Sequence, residues 1–116
     1  MKNRDKRRFR YLQDQIPIRL GGIAANLSRI SSLSDHLGHQ KAVADMIEES
    51  KWFIEWTAAE LEVQRAAELV RLQLLLAQWE IEVAQHWQDE QWRSRLMAQA
   101  AEWSRRVLDM SGLLRS

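Results

Sequence analysis

The chain has 116 residues, of which 46% are hydrophobic and 28% are charged, and its formal net charge is +1. These values are ordinary for a soluble globular domain, and a chain of this length buries about two thirds of its unfolded surface. Cysteine is absent, which excludes disulfides, thiolate metal sites and a cysteine nucleophile.

The sequence predicts neither a membrane span nor a secretory signal. Its longest apolar run, Leu74–Ala77, is far shorter than the roughly 20 residues that a membrane-spanning helix needs. The N-terminus is basic, but no apolar segment follows it as in a signal peptide. We therefore expect a soluble, cytoplasmic protein.

Charge is distributed unevenly along the chain. Residues 1–10 contain six basic side chains and one acidic side chain, whereas residues 41–90 contain four basic and eleven acidic ones. Residues 1–13 are therefore predicted to be a basic, disordered arm, followed by a helical domain over residues 14–116. Such an arm either binds a partner or docks on the acidic helices of its own chain.

The rest of the chain has the composition and the spacing of helices. Only four glycines and one proline occur, and apolar residues recur at intervals of three and four positions. We predict an all-α fold, an antiparallel four-helix bundle, with helices over residues 16–33, 40–55, 58–87 and 90–111. Asp89 is the expected N-cap of the last helix, and Gly112 the residue that ends it.

The segment WFIEWTAAELEVQ, residues 52–64, decides whether the second and third helices are separate. Thr57 and Glu60 have the spacing of a capping box, and Trp56 and Leu61 that of a hydrophobic staple. These start signals favour a turn at Trp56–Thr57. The alternative is one long helix, because no glycine or proline interrupts the segment.

The third predicted helix has two apolar stripes, whereas an ordinary surface helix has one. Both stripes have the alternating spacing of a helix–helix seam. The first consists of Leu69, Leu72, Leu76, Trp79, Val83 and His86. The second consists of Val63, Ala66, Val70, Leu74, Ala77, Ile81 and Ala84. We therefore expect this helix to be packed from two sides.

Two tryptophans fall outside the apolar face of the second predicted helix, on the side that carries Glu48, Glu49 and Glu55. Aromatic side chains are enriched at interaction hot spots, although another helix or the N-terminal segment could also cover them. Together with the second stripe they predict a self-associating interaction module, most simply a symmetric homodimer. The predicted interface residues are Trp52, Trp56, Val63, Val70, Leu74 and Ile81.

The basic arm suggests an alternative function, binding to nucleic acid or to another anionic surface. Its basic side chains would neutralise phosphates, and Phe9 and Tyr11 would stack on bases. The acidic middle of the chain speaks against this alternative. The predicted contact residues are Lys2, Arg4, Lys6, Arg7, Arg8 and Arg10.

Residues suited to catalysis or metal binding are too scattered to predict either. His36 and His39 lie in a predicted loop without further ligands, and Glu82 and His86 lack the Glu-x-x-His motifs of carboxylate-bridged metal sites. Phosphate-binding loops and dinucleotide-binding glycine motifs are missing. We therefore expect no enzymatic activity, no metal and no cofactor.

Three segments resemble short, all-helical uncharacterised proteins of cyanobacteria. They are IEESKWFIEWTAAELE, AAELVRLQLLLAQWE and VLDMSGLL. The resemblance covers residues 15–114 and leaves out the basic arm. It implies a bacterial cytoplasmic setting but no particular activity, so it assigns no site residues.

Overall fold

The structure, a computed structural model, describes residues 2–114, and over this range it confirms the predicted all-α class. It contains two short 3₁₀ helices, Leu37–His39 and Ala58–Glu60, and no strand within that range. The α-helices are α1 (Lys2–Leu12), α2 (Ile16–Leu33), α3 (Gln40–Thr57), α4 (Val63–His86) and α5 (Glu90–Ser111). Among these described helices, none combines the length and the apolar character that crossing a membrane requires.

The helices α2 and α5 begin and end at the predicted residues, and local capping signals define both ends of α5. The Asp89 carboxylate accepts hydrogen bonds from the backbone N–H groups of Gln91 at 2.9 Å and Trp92 at 3.3 Å. Gly112 follows the last turn of α5 with φ at +82°, the left-handed conformation that glycine adopts without strain.

The chain turns after α3, but α4 begins at Val63 and not at residue 58 as predicted. The predicted capping box does not form, since both of its side chains have distant partners. The Thr57 hydroxyl donates to the Tyr11 hydroxyl at 3.1 Å, and Glu60 pairs with Arg19 at 2.9 Å. A 3₁₀ turn therefore occupies the segment in which the helix was expected to start.

The N-terminal residues predicted to be a disordered arm form α1 instead, over residues 2–12. This helix docks on α3, where Tyr11 is buried and its ring stacks on that of Phe53 with 4.1 Å between the ring centroids. Composition alone gave no reason to expect order, because both ion pairs that hold α1 on α3 come from residues more than forty positions away.

The hydrophobic core lies between α2, α3, α4 and α5. Helix α2 packs against both α3 and α5, α4 packs mainly against α3, and α4 and α5 share a much smaller contact. The core includes Leu20, Ile23, Leu27, Ile30, Val43, Ile47, Ile54, Leu69, Leu72, Leu76, Trp79, Val83, Leu96 and Val107. This arrangement leaves α4 at an edge of the molecule, with an uncovered outer face.

Two buried arginines close the turns by donating hydrogen bonds to backbone carbonyls. Arg19 donates to the carbonyl of Asp14 at 2.9 Å, beside the turn between α1 and α2. Arg93 donates to the carbonyls of Ser34 at 3.1 Å and Trp87 at 2.6 Å, and so links two further connections. A buried guanidinium is tolerated only with such partners, so these contacts fix the connections relative to the core.

Replacing Leu72 with alanine tests the observed orientation of α4. Leu72→Ala is expected to lower the free energy of unfolding by about 3 kcal/mol, because Leu72 is fully buried and its truncation leaves a cavity. Leu74→Ala is the matched control, since Leu74 is 69% exposed and its truncation should change stability by less than about 0.5 kcal/mol. Urea denaturation at concentrations that keep the chain monomeric measures both, and equal losses would contradict this orientation.

Candidate interaction surfaces

The outer face of α4 presents a continuous row of apolar side chains, in which the four large ones are between 52% and 84% exposed. We call this row the α4 seam. It consists of Val63, Ala67, Val70, Leu74, Ala77, Ile81 and Ala84. The sequence placed Ala66 in this row instead of Ala67, but Ala66 is half-buried and Ala67 is exposed. The spacing alternates regularly between four and three residues over about three heptads, the pattern with which one helix packs against another.

The opposite side of α4 explains why the α4 seam faces outward. We call that side the inner stripe, and it consists of Leu69, Leu72, Leu76, Trp79 and Val83, all buried in the core. The two rows lie roughly 140° apart around the helix, so burying one turns the other towards solvent. The chain itself covers only the inner of the two predicted stripes, and His86 at the end of that stripe is exposed.

The α4 seam itself contains no charged side chain, and amides form most of its border. On the border next to α3, Glu80 is neutralised by an ion pair with Lys51 at 2.7 Å. The other border consists of Gln64, Arg71, Gln78 and Gln85. A contiguous exposed apolar row of this kind is typical of an interaction site, whereas scattered exposed leucines are not.

Trp52 and Trp56 do not lie on the α4 seam with the other predicted interface residues. They belong to the face of α3 that α1 covers, where Trp56 is only 7% exposed and Trp52 is half-buried. The Arg4 guanidinium lies 5.7 Å from both ring centroids. The N-terminal segment therefore covers these rings, which was the structural alternative that the sequence left open.

Four aromatic side chains meet where α1 docks on α3. We call this group the aromatic cluster, and it consists of Tyr11, Trp52, Phe53 and Trp56. Besides the stacked pair of Tyr11 and Phe53, the other neighbouring centroids are 5.8 to 6.1 Å apart. Aromatic pairs at such distances contribute about 0.5–1.5 kcal/mol beyond the area they bury, so the cluster is the main apolar attachment of α1.

The Tyr11 hydroxyl joins three helices through two hydrogen bonds. It donates to the backbone carbonyl of Arg19 at 3.0 Å and accepts from the Thr57 hydroxyl at 3.1 Å. Burial raises the pKa of the Tyr11 phenol well above its ordinary value of about 10. The protonated phenol is therefore the form that fits between α1, α2 and α3.

Two ion pairs hold the rest of α1 on the acidic side of α3. Arg4 pairs with Glu55 at 2.7 Å, and Arg7 pairs with Glu49 at 2.8 Å. Glu49 also accepts a hydrogen bond from the buried Asn26 amide at 3.1 Å. All four paired side chains are partly exposed, so each pair contributes less than about 1 kcal/mol and weakens as salt screens it.

The predicted nucleic-acid residues are divided between two faces of α1. Arg4 and Arg7 face α3, whereas Lys6, Arg8 and Arg10 are exposed. Phe9 is 71% exposed and lies on the outer face with Lys6 and Arg10. The side chain of Lys2 lies outside the described residues.

A polar groove of about 400 Å³ separates α4 from α5. On its wall, the Glu82 carboxylate accepts hydrogen bonds from the Gln78 amide at 2.8 Å and the Trp92 indole at 3.0 Å. The hydrogen bond from Gln78, and to a smaller extent that from Trp92, lowers the pKa of Glu82 below its ordinary value. Both carboxylate oxygens therefore accept a hydrogen bond, and the one from Trp92 connects α4 with α5.

The histidines considered as metal ligands are engaged in the turn before α3. The His36 ring accepts a hydrogen bond from the Gly38 N–H at 2.9 Å, and a His39 ring nitrogen lies 2.9 Å from the carbonyl of Leu33. Across residues 2–114, no group of three or more His, Cys, Asp or Glu side chains has the arrangement of a metal site.

The ionisation of Tyr11 is expected to begin only above its ordinary pKa of about 10, because burial favours the neutral phenol. The unfolded chain ionises first, so the free energy of unfolding keeps this contribution below about pH 10 and loses it as the pH rises further. Tyr11 is the only tyrosine, so phenolate absorbance follows it alone. In Tyr11→Phe this part of the alkaline loss should be absent.

A pair of charge-matched variants tests whether the ion pairs hold α1 in place. Arg4→Gln with Arg7→Gln removes both pairs, and should lower the Tyr11 pKa towards its ordinary value by loosening α1. Lys6→Gln with Arg8→Gln removes the same charge from the exposed side and should leave the pKa in place. Equal shifts in both variants would show that the ion pairs do not fasten the helix.

The structure thus presents two candidate surfaces, the α4 seam and the outer face of α1, each formed by exposed side chains. The resemblance to cyanobacterial helical proteins remains an expectation from sequence. No family model, no curated protein and no solved structure matches this chain.

Proposed function

We propose that the protein is a non-enzymatic, self-associating interaction module that binds through the α4 seam. The observation that carries this proposal is the row of four large apolar side chains, 52% to 84% exposed, without a charge among them. We also propose that α2 to α5 form an antiparallel four-helix bundle, with α4 at its edge. Removing apolar surface from water favours association by about 25 cal/mol per Å².

A second copy of the chain is the partner that fits the α4 seam best. Heptad spacing is complementary to the same spacing on another helix, and a two-fold dimer uses one patch twice. The net charge of +1 leaves little repulsion between copies. Cytoplasmic location is part of this proposal, in keeping with the absence of cysteine from the sequence.

The size of the α4 seam sets the affinity that we expect. From Val63 to Ala84 the row is about 32 Å long and about 10 Å wide, given the dimensions of an α-helix. That area is smaller than the roughly 800 Å² per partner of a standard stable interface. We therefore expect a reversible dimer with a dissociation constant in the micromolar range.

Sedimentation over the micromolar range tests self-association. The mass should rise from one copy towards two with concentration, and Leu74→Glu and Ile81→Glu should remain monomeric because a carboxylate in the seam stays unpaired. Ile18→Glu is the matched control, since Ile18 is 51% exposed on α2 and its substitution should leave the dimer intact. A wild-type chain that stays monomeric, or equal behaviour of all three variants, would exclude this function.

We propose binding of single-stranded nucleic acid by the outer face of α1 as the second candidate function. It is favoured by the exposed Phe9 ring, which shares that face with Lys6 and Arg10, although Asp5 lies there as well. An aromatic ring can stack on a base while flanking cations contact phosphates. Because Arg4 and Arg7 are paired with α3, this candidate has fewer free charges than the sequence suggested.

Replacing Lys6, Arg8 and Arg10 with glutamine tests the second candidate by fluorescence anisotropy with a labelled single-stranded oligonucleotide. Because three phosphate contacts are lost, the plot of log affinity against log salt should become shallower by about 2. The control removes three cations outside α1, through Arg29→Gln, Lys41→Gln and Arg95→Gln. Equal slopes for the two triple variants would refute a site on α1.

A further inference from the structure

We propose that two copies of α4 pack antiparallel, with the two-fold axis passing beside Leu74. This inference rests on the proposed self-association and specifies its geometry. Its basis is the order of large and small side chains along the α4 seam. In chain order the large members are Val63, Val70, Leu74 and Ile81, and the small ones are Ala67, Ala77 and Ala84.

In an antiparallel pair centred on Leu74, each of the three remaining large side chains lies opposite an alanine. Val63 then faces Ala84 of the second copy, and Val70 faces Ala77. By the same symmetry, Ile81 faces Ala67, and the two Leu74 side chains meet at the axis. Alternation of large and small residues across facing positions lets two surfaces interlock without cavities.

The other simple arrangements lack this complementarity. In a parallel pair in register each residue faces its own copy, so alanine meets alanine at three levels and large side chains meet at the other four, which fills the interface unevenly. Shifting the antiparallel pair by about half a heptad also brings alanines together. It would pair Ala67 with Ala77 or with Ala84, and leave cavities on the order of a methyl group or more at those levels.

The border of the α4 seam is compatible with the same antiparallel register. Arg71 of one copy lies level with Gln78 of the other, and Gln64 lies level with Gln85. No pair of like charges is brought face to face along this border, and the amides can exchange hydrogen bonds. The antiparallel order also sets the two helix dipoles in opposition, which is the more favourable of the two orientations.

Disulfide cross-linking tests the register directly, because the chain contains no cysteine of its own. Leu74→Cys should form a covalent dimer under mild oxidation with copper–phenanthroline in air, since both thiols lie at the axis. A mixture of Val63→Cys and Ala84→Cys should form the mixed dimer. Val63→Cys alone should stay uncoupled, because its two copies would lie about 32 Å apart and a disulfide requires Cα atoms within about 7 Å.

Ile18→Cys gives the background from random collisions, because this exposed position lies on α2. Efficient coupling of Val63→Cys alone would indicate a parallel pair and overturn the inference. Failure of every seam variant to exceed the background would overturn it as well. Sedimentation of Leu74→Glu separates the two proposals: if that variant abolishes dimers while the cross-links are absent, the function stands and the register is wrong.

Discussion

Burial of the inner stripe of α4 is the constraint on which the rest of the surface depends. Leu72 and Trp79 enter the core, and this fixes the rotation of the helix about its axis. With that rotation, the α4 seam is not covered by another helix of the same molecule, since α4 and α5 share only a small contact. Core packing therefore determines that the α4 seam faces solvent. It does not require the α4 seam to be free of charged side chains.

The uneven distribution of charge along the chain is partly compensated by contacts within the molecule. The basic N-terminal helix lies on the acidic side of α3, and the Arg4 and Arg7 ion pairs are accompanied by the stacked ring of Tyr11. Partly exposed ion pairs are weak, whereas the buried ring and its two hydrogen bonds give the contact a defined geometry. The electrostatic match orients α1, and the aromatic cluster anchors it.

Local signals account for the parts of the fold that could be predicted from the sequence. The ends of α2 follow from the spacing of its apolar residues, and those of α5 also from the caps Asp89 and Gly112, which act within a few residues. The start of α4 and the order in α1 depend on contacts such as that of Thr57 with Tyr11, 46 positions away, which no local pattern contains. The two-stripe pattern anticipated the exposed row on α4, whereas the burial of Trp56 and of Arg93 required knowledge of what packs above them.

The attachment of α1 also has a consequence for the proposed self-association. A protease that cuts after arginine would find several such bonds in α1, and loss of the helix would uncover the rings of Phe53 and Trp56 on α3. The cleaved chain would then expose two separate apolar faces, the α4 seam and the uncovered face of α3. Two unlike faces could join head to tail without closing, so under the proposed self-association an intact α1 would favour a closed dimer over open-ended filaments.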